Sequence, residues 1–119
     1  MATESVTSDV LVLANAVTAT GAQPSKFFSD YHGHIQSFAV WTVQVSGTAT
    51  SISMEIDGSL DGTNWNKIAA GAANPIVTAP SAGVATYSFG ASGTAYPYVR
   101  ANITTLAGGN VTALAVGAS

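Results

Sequence analysis

The sequence predicts an all-β protein, an antiparallel β-sandwich of jelly-roll type with about eight strands. Short runs rich in Val, Ile, Thr, Tyr, Phe and Trp recur between turns that carry Gly, Pro, Asn and Asp. Several runs alternate apolar and polar residues, the period of a half-buried strand. No long window sustains helical periodicity with caps; the nearest, Asp9–Thr20, is too rich in Val and Thr. A small β-barrel satisfies the same strand count and is the alternative. The 119 residues suffice for one domain, with 1–8 read as a flexible N-terminal arm and 9–119 as the sandwich.

Val10-Leu11-Val12-Leu13 is a continuous apolar run, as expected of a buried strand. A mixed stretch follows and closes at Gly21 and Pro24. Ile35–Ser46 is the strongest strand; both its faces carry apolar residues, which predicts a central place in its sheet. In Ser51–Asp57, Ile52, Met54 and Ile56 alternate with Ser51, Ser53, Glu55 and Asp57, so the first set should face the core and the second water. Asp61-Gly62 signals a hairpin, with Trp65–Ile68 as the returning strand. Ile76–Thr78 and Val84–Phe89 are further strands, separated by the turn Pro80–Gly83. Tyr96–Leu106 and Val111–Val116 form the last pair, with Ala107-Gly108-Gly109-Asn110 as a hairpin between them. Trp41, Trp65, Val99 and Ile103 are the expected core anchors; Trp65 should fold back from its turn onto the core.

Composition excludes several functions. Without cysteine there is no disulfide framework, thiolate metal site or thiol nucleophile. Three Lys+Arg against six Asp+Glu leave a net charge of −3 and no basic patch, so nucleic acid is not an expected partner. Only 8% of residues are charged, against about a quarter in an ordinary soluble domain. Ser, Thr, Asn and Gly must therefore make the polar surface, and such groups cost far less to desolvate than ions. A neutral, hydroxyl-rich surface suits a large assembly interface. The start, Met1–Asp9, has no Lys or Arg, which argues against a signal peptide. The run Val10–Val17 is too short to span a bilayer, so no membrane association is expected.

Candidate chemistry is sparse. Asp57, Asp61 and Asn64 place oxygen side chains near Gly62 in the manner of a calcium loop. The Glu that an EF-hand needs six residues after its Gly is replaced by Ile68, so a turn bonded to its own backbone is the simpler reading. His32 and His34 would share one face of a strand, but no third ligand follows by spacing, and no metal or cofactor is expected. No Ser stands in Gly-x-Ser-x-Gly and no acid–base pair can be named, so the chain is not expected to be an enzyme. In Tyr96–Ile103, alternation sets Tyr98, Arg100 and Asn102 on one face and Val99, Ala101 and Ile103 on the other. Arg100, the only arginine, should pair with Glu55 or Asp57 and stack on Tyr98; contact with a sugar or a protein partner is the competing role. Phe27, Phe28 and Tyr31 form the densest aromatic group outside the clear strands and are interface candidates, together with Tyr98 and Arg100.

The segment Glu55–Trp65, which contains Ser59-Leu60-Asp61-Gly62-Thr63-Asn64-Trp65, is followed by Tyr96-Pro97-Tyr98-Val99-Arg100 and an alternating Thr/Gly/Val terminus. From about Ser51 onward the chain resembles the small β-sandwich proteins of tailed-phage virions, most of all capsid decoration (cement) proteins. It is similar more distantly to discoidin-like carbohydrate-binding sandwiches. The resemblance implies a trimer seated on the outer surface of a phage capsid, with the major capsid protein as partner, made in the host cytoplasm and located in the virion. Two other roles stay open: a glycan-binding module of a tail or fibre, with Tyr96 or Tyr98 beside Arg100, and a tail-tube or filament subunit.

Overall fold

The computed structural model describes residues 10–28, 40–68, 74–89 and 96–118. The expected arm at 1–8, Tyr31, His32 and His34, and positions 35–39 of the strongest expected strand lie outside the described residues.

The architecture is a sandwich of two antiparallel sheets. One contains β1 (Leu11–Val17), β10 (Val111–Ala118), β4 (Val40–Gly47) and β8 (Ala85–Phe89), in that spatial order. In the other, β9 (Tyr98–Ala107) lies beside β5 (Ser51–Ser59). The short strands β2 (Gly21–Ala22) and β3 (Lys26–Phe27) both pair with β9. Likewise β6 (Asn66–Lys67) and β7 (Ile76–Thr78) both pair with β5. If β2–β3 and β6–β7 are each taken as one interrupted strand, the pairing is nested. First pairs with last (β1·β10), then β2–β3 with β9, β4 with β8, and β5 with β6–β7. A long hairpin folded over on itself in this way is a jelly roll.

The core follows from strand alternation. Trp41, Val43 and Val45 of β4 are buried, while Val40, Thr42 and Gln44 face out. Thus β4 is central, between β10 and β8, but only one of its faces is covered. Ile52, Met54 and Ile56 of β5 meet Val99, Ala101 and Ile103 of β9 on the inner side of the other sheet. Aromatic rings bridge the two layers. Phe28, just after β3, lies edge-on to Trp41 with centroids 5.5 Å apart, and Trp41 stacks on Phe89 at 5.1 Å.

Three expectations need correction. Ala107–Asn110 is not a hairpin, because β9 and β10 belong to different sheets. It is a corner that carries the chain across the sandwich. Its polar groups are satisfied by the neighbouring corner at 48–50, which crosses in the opposite sense: Thr48 N–H and Ala49 N–H donate to Asn110 O at 3.1 and 2.9 Å, and Thr50 N–H donates to Ala107 O at 2.9 Å. The outward side of β5 is not uniformly wet, since Asp57 and Ser59 are as buried as the core. Trp65 is only half-buried and does not belong to the core cluster.

A residue that sequence reasoning overlooked, Asn74, divides β6 from β7. Its side chain accepts from Ile56 N–H at 3.0 Å and donates to Ile56 O and Ile68 O, both at 2.8 Å. The amide stands in for a strand where the chain leaves the sheet.

Candidate functional site

The polar chemistry of the described residues gathers on the outer face of the β9–β5–β6 sheet. Antiparallel register places Arg100 directly across from Asp57, and Asp57 across from Lys67. Arg100 Nε donates to Asp57 Oδ2 at 3.0 Å. The guanidinium carbon lies 4.6 Å from the centroid of the Trp65 ring. The indole therefore covers the cation that covers the carboxylate, and Asp57 is left 2% exposed. The expected pairing of Arg100 with an acid on β5 is what the structure shows; the stacking partner is Trp65 in place of Tyr98.

Asp57 Oδ1 is buried and accepts from no N–H or hydroxyl group. Its neighbour two positions back on the same face, Glu55, has a pKa raised from 4.5, first through hydrogen bonding with Asp57, then through burial and the Asp57 charge. Protonation of Glu55 thus relieves the repulsion between the two carboxyls. The Asp57 carboxylate on β5, the Arg100 guanidinium on β9 and the Trp65 indole from the loop lie one over the next.

The loop at 60–65 is held by its own side chains. Asp61 Oδ1 accepts from Thr63 N–H and Asn64 N–H, both at 2.8 Å, and from Ser59 Oγ at 2.9 Å. Asp61 Oδ2 accepts from Asn64 Nδ2 at 2.7 Å, and Ser59 Oγ accepts from Gly62 N–H at 2.9 Å. These bonds, the backbone ones first, hold the Asp61 carboxyl far below its ordinary value of 3.8. The three calcium candidates are therefore committed separately: Asp57 to Arg100, Asp61 to its own turn, and Asn64 to Asp61. Among the described residues no group of three His, Asp or Glu side chains converges.

The aromatic candidates divide. Phe28 is fully buried and serves the core, so it offers nothing to a partner. Phe27 is 47% exposed and meets Tyr98 edge-on at 6.4 Å, beside the Arg100–Asp57 pair. Tyr98 in turn lies against Gly62 of the loop. Tyr96 packs on the core from the other side of the strand. A Cβ on Gly58 would stand 2.5 Å from the Tyr96 ring, so only glycine permits that approach.

The opposite sheet differs sharply. β1, β4, β8 and β10 contain no Asp, Glu, Lys, Arg or His. Every charged side chain among the described residues, Lys26, Glu55, Asp57, Asp61, Lys67 and Arg100, belongs to the β9–β5 sheet or to its 60–65 loop. The neutral face holds a shallow groove of about 220 Å³ lined by Val10, Thr42, Gln44, Thr86, Leu114 and Val116.

No protein-family model and no curated protein matches the chain. Solved structures do. The fold is similar to that of the SPBc2 prophage-derived protein YomS, with a TM-score of 0.64 and 18% identity over 100% of this chain and 98% of that one. It is also similar to the PBSX exported protein XepA, with a TM-score of 0.64 and 14% identity over 100% of this chain and 40% of that one. The chain thus matches the whole of one phage-derived protein and less than half of another, and at these identities the likeness establishes a shared fold.

Proposed function

We propose that this chain is a structural protein of a tailed-phage virion that decorates the outer surface of the capsid. The observation that carries the reading is the end-to-end fold correspondence with a prophage-derived protein of nearly the same extent. The surface chemistry supports it. Only 8% of the residues are charged, so neighbouring subunits can cover much of the surface without stripping water from ions. The β9–β5 sheet pairs Arg100 with the buried Asp57 beneath Trp65, and among the described residues no three His, Asp or Glu side chains converge. In this reading the chain binds the major capsid protein, needs no cofactor and catalyses nothing. The mechanism is mass action: a protein that binds only assembled subunits raises the cost of their separation. The trimeric state rests on resemblance to decoration proteins.

The test is co-sedimentation of purified chain with expanded capsids, and capsid survival on heating with and without it. Saturable binding and a higher disruption temperature are expected. Absence of binding overturns the capsid assignment. Because XepA is described as an exported protein, fractionation of an infected culture is the companion measurement; recovery in the medium, apart from virions, would also overturn it.

A glycan-binding role is the second reading, favoured by the exposed Phe27 ring on Tyr98 beside Arg100. Sugars stack their C–H groups on exposed aromatic faces and hydrogen-bond to adjacent charged groups. A glycan array decides it: hits that vanish with Tyr98→Ala support recognition, and an array without hits removes it.

A further inference from the structure

The division of charge between the two sheets has a consequence for assembly that does not depend on the capsid reading. We propose that the outer face of the β1–β10–β4–β8 sheet is a contact surface for a second copy of this chain.

Four strands without a single Asp, Glu, Lys, Arg or His are far from expectation for a face in water, where charged residues normally make up about a quarter to a third of the surface. The face also holds apolar side chains in the open: Val10 is 60% exposed, Val12 41% and Val40 45%. Around them stand Thr42, Gln44, Thr86 and Ser88, hydroxyl and amide groups that can bond across an interface as well as to water. This is the composition of an interface core with its charges depleted.

Charge selects the occupant. The molecule has a formal charge of −3, so two copies repel unless they meet where neither carries ions. The β9–β5 face cannot serve, since mating it would desolvate Lys67, Arg100 and the acids around them. An ionic partner gains nothing on the neutral face, because no counter-charge awaits it there. A neutral face matches a neutral face, and this chain supplies one. The area is sufficient. Strands of five to eight residues, at about 3.3 Å per residue and about 4.8 Å apart, give roughly 400 Å² in projection. Two such faces, with their side-chain relief, bury on the order of 1,000 Å², the level that separates a specific contact from incidental packing. The groove between Val10, Thr86 and Leu114 gives that surface the relief into which an opposing aliphatic side chain can fit.

The test is sedimentation velocity on the full chain at about 100 µM, far above the dissociation constant of a specific contact. The wild type is expected to sediment as more than one 11.9 kDa chain. Thr42→Lys, at an exposed position in the middle of the face, is expected to weaken association at least about 100-fold by burying like charges. Leu114→Glu should do the same. If Leu114→Glu fails to fold, Thr42→Lys decides, because its side chain points to solvent and its unfolding midpoint should match the wild type. Lys67→Gln on the other sheet should leave association intact. A wild type that sediments as a single chain, or a Thr42→Lys variant that assembles like the wild type, overturns the proposal. Capsid binding is scored separately: a wild type that self-associates yet ignores capsids upholds this contact and removes only the capsid assignment.

Discussion

Arg100 ties β9 to β5 through the buried Asp57. Its guanidinium satisfies a carboxylate that is 2% exposed, and Trp65 holds it there from above. Arg100→Ala leaves Asp57 buried without its counter-charge, and the expected loss is about 3 kcal/mol in chemical denaturation. Arg100→Lys should recover only part of this, since an ammonium neither stacks on the indole as a planar guanidinium does nor keeps the Nε geometry. If Arg100→Ala unfolds at the wild-type denaturant concentration, the pair is ornamental. Glu55 makes the same cluster sensitive to pH. Its folded pKa lies above the ordinary 4.5, so the folded chain holds more protons than the unfolded one between those two values. The stability this provides is complete below about 4.5 and is lost as pH rises through the folded value. Asp61 acts in the opposite sense: its depressed pKa contributes stability above 3.8 that is lost as pH falls below it. Glu55→Gln removes the repulsion of Asp57 at every pH. It should therefore be more stable than the wild type at pH 7, and the gap should close toward pH 4. Urea midpoints from pH 4 to 8 measure this; a gap that stays constant would sink the repulsion account.

At the scale of elements, alternation was legible and pairing was not. The inward sets of β5 and β9 follow from period two alone, because a one-residue slip would exchange the faces, whereas β4 has apolar residues on both faces and the sequence does not choose between them. The pair Arg100–Asp57 was legible for the same reason: each stands on the polar side of its strand, with opposite sign. The β9–β10 corner was misread because Gly-Gly-Asn serves a hairpin and a crossing equally well. What separates them is the partner that waits for β10, and that partner is β4, more than sixty residues earlier in the chain at Gly47↔Val111. Trp65 was misplaced for a related reason. A Trp after a turn can cover the inner or the outer side of its sheet, and a cation on a distant strand decided the outcome. The β5–β9 ladder also contains its own test of close packing. At Gly58→Ala the new methyl would meet the Tyr96 ring at 2.5 Å. The expected cost is about 1–3 kcal/mol, as for other overpacked interiors. Adding Tyr96→Leu, which removes the ring, should return part of it. Equal losses in the single and double variants would show that ring contact is not the cause.

Across the whole molecule, the low charge content foretold a neutral surface but not its confinement to one sheet. Composition counts residues without placing them, and segregation appears only once strands are assigned to layers. The neutral sheet predicts an unusual response to salt. An interface held by ions weakens as ionic strength rises, because screening shortens its reach to about 8 Å at physiological strength. Contact through the β1–β10–β4–β8 face contains no ion pair to screen, while the mutual repulsion of two −3 molecules is screened. Self-association should therefore hold or tighten between 50 and 500 mM NaCl, by about tenfold at most. Sedimentation across that range measures it, and dissociation at high salt would place the contact on the charged sheet.

The nested order of the strands also sets how the chain must find its shape. The innermost pair, β5 with β6, joins positions as close as Gly58 and Asn66, whereas the outermost, β1 with β10, joins Leu11 to Ala115. Local closure can start only at the centre of the sequence, and each later pair spans a longer loop than the one before. Such a polypeptide zips from its middle outward and folds on the millisecond-to-second scale typical of non-local β topologies. Until that last step is complete, β10 is the strand whose edge stands open.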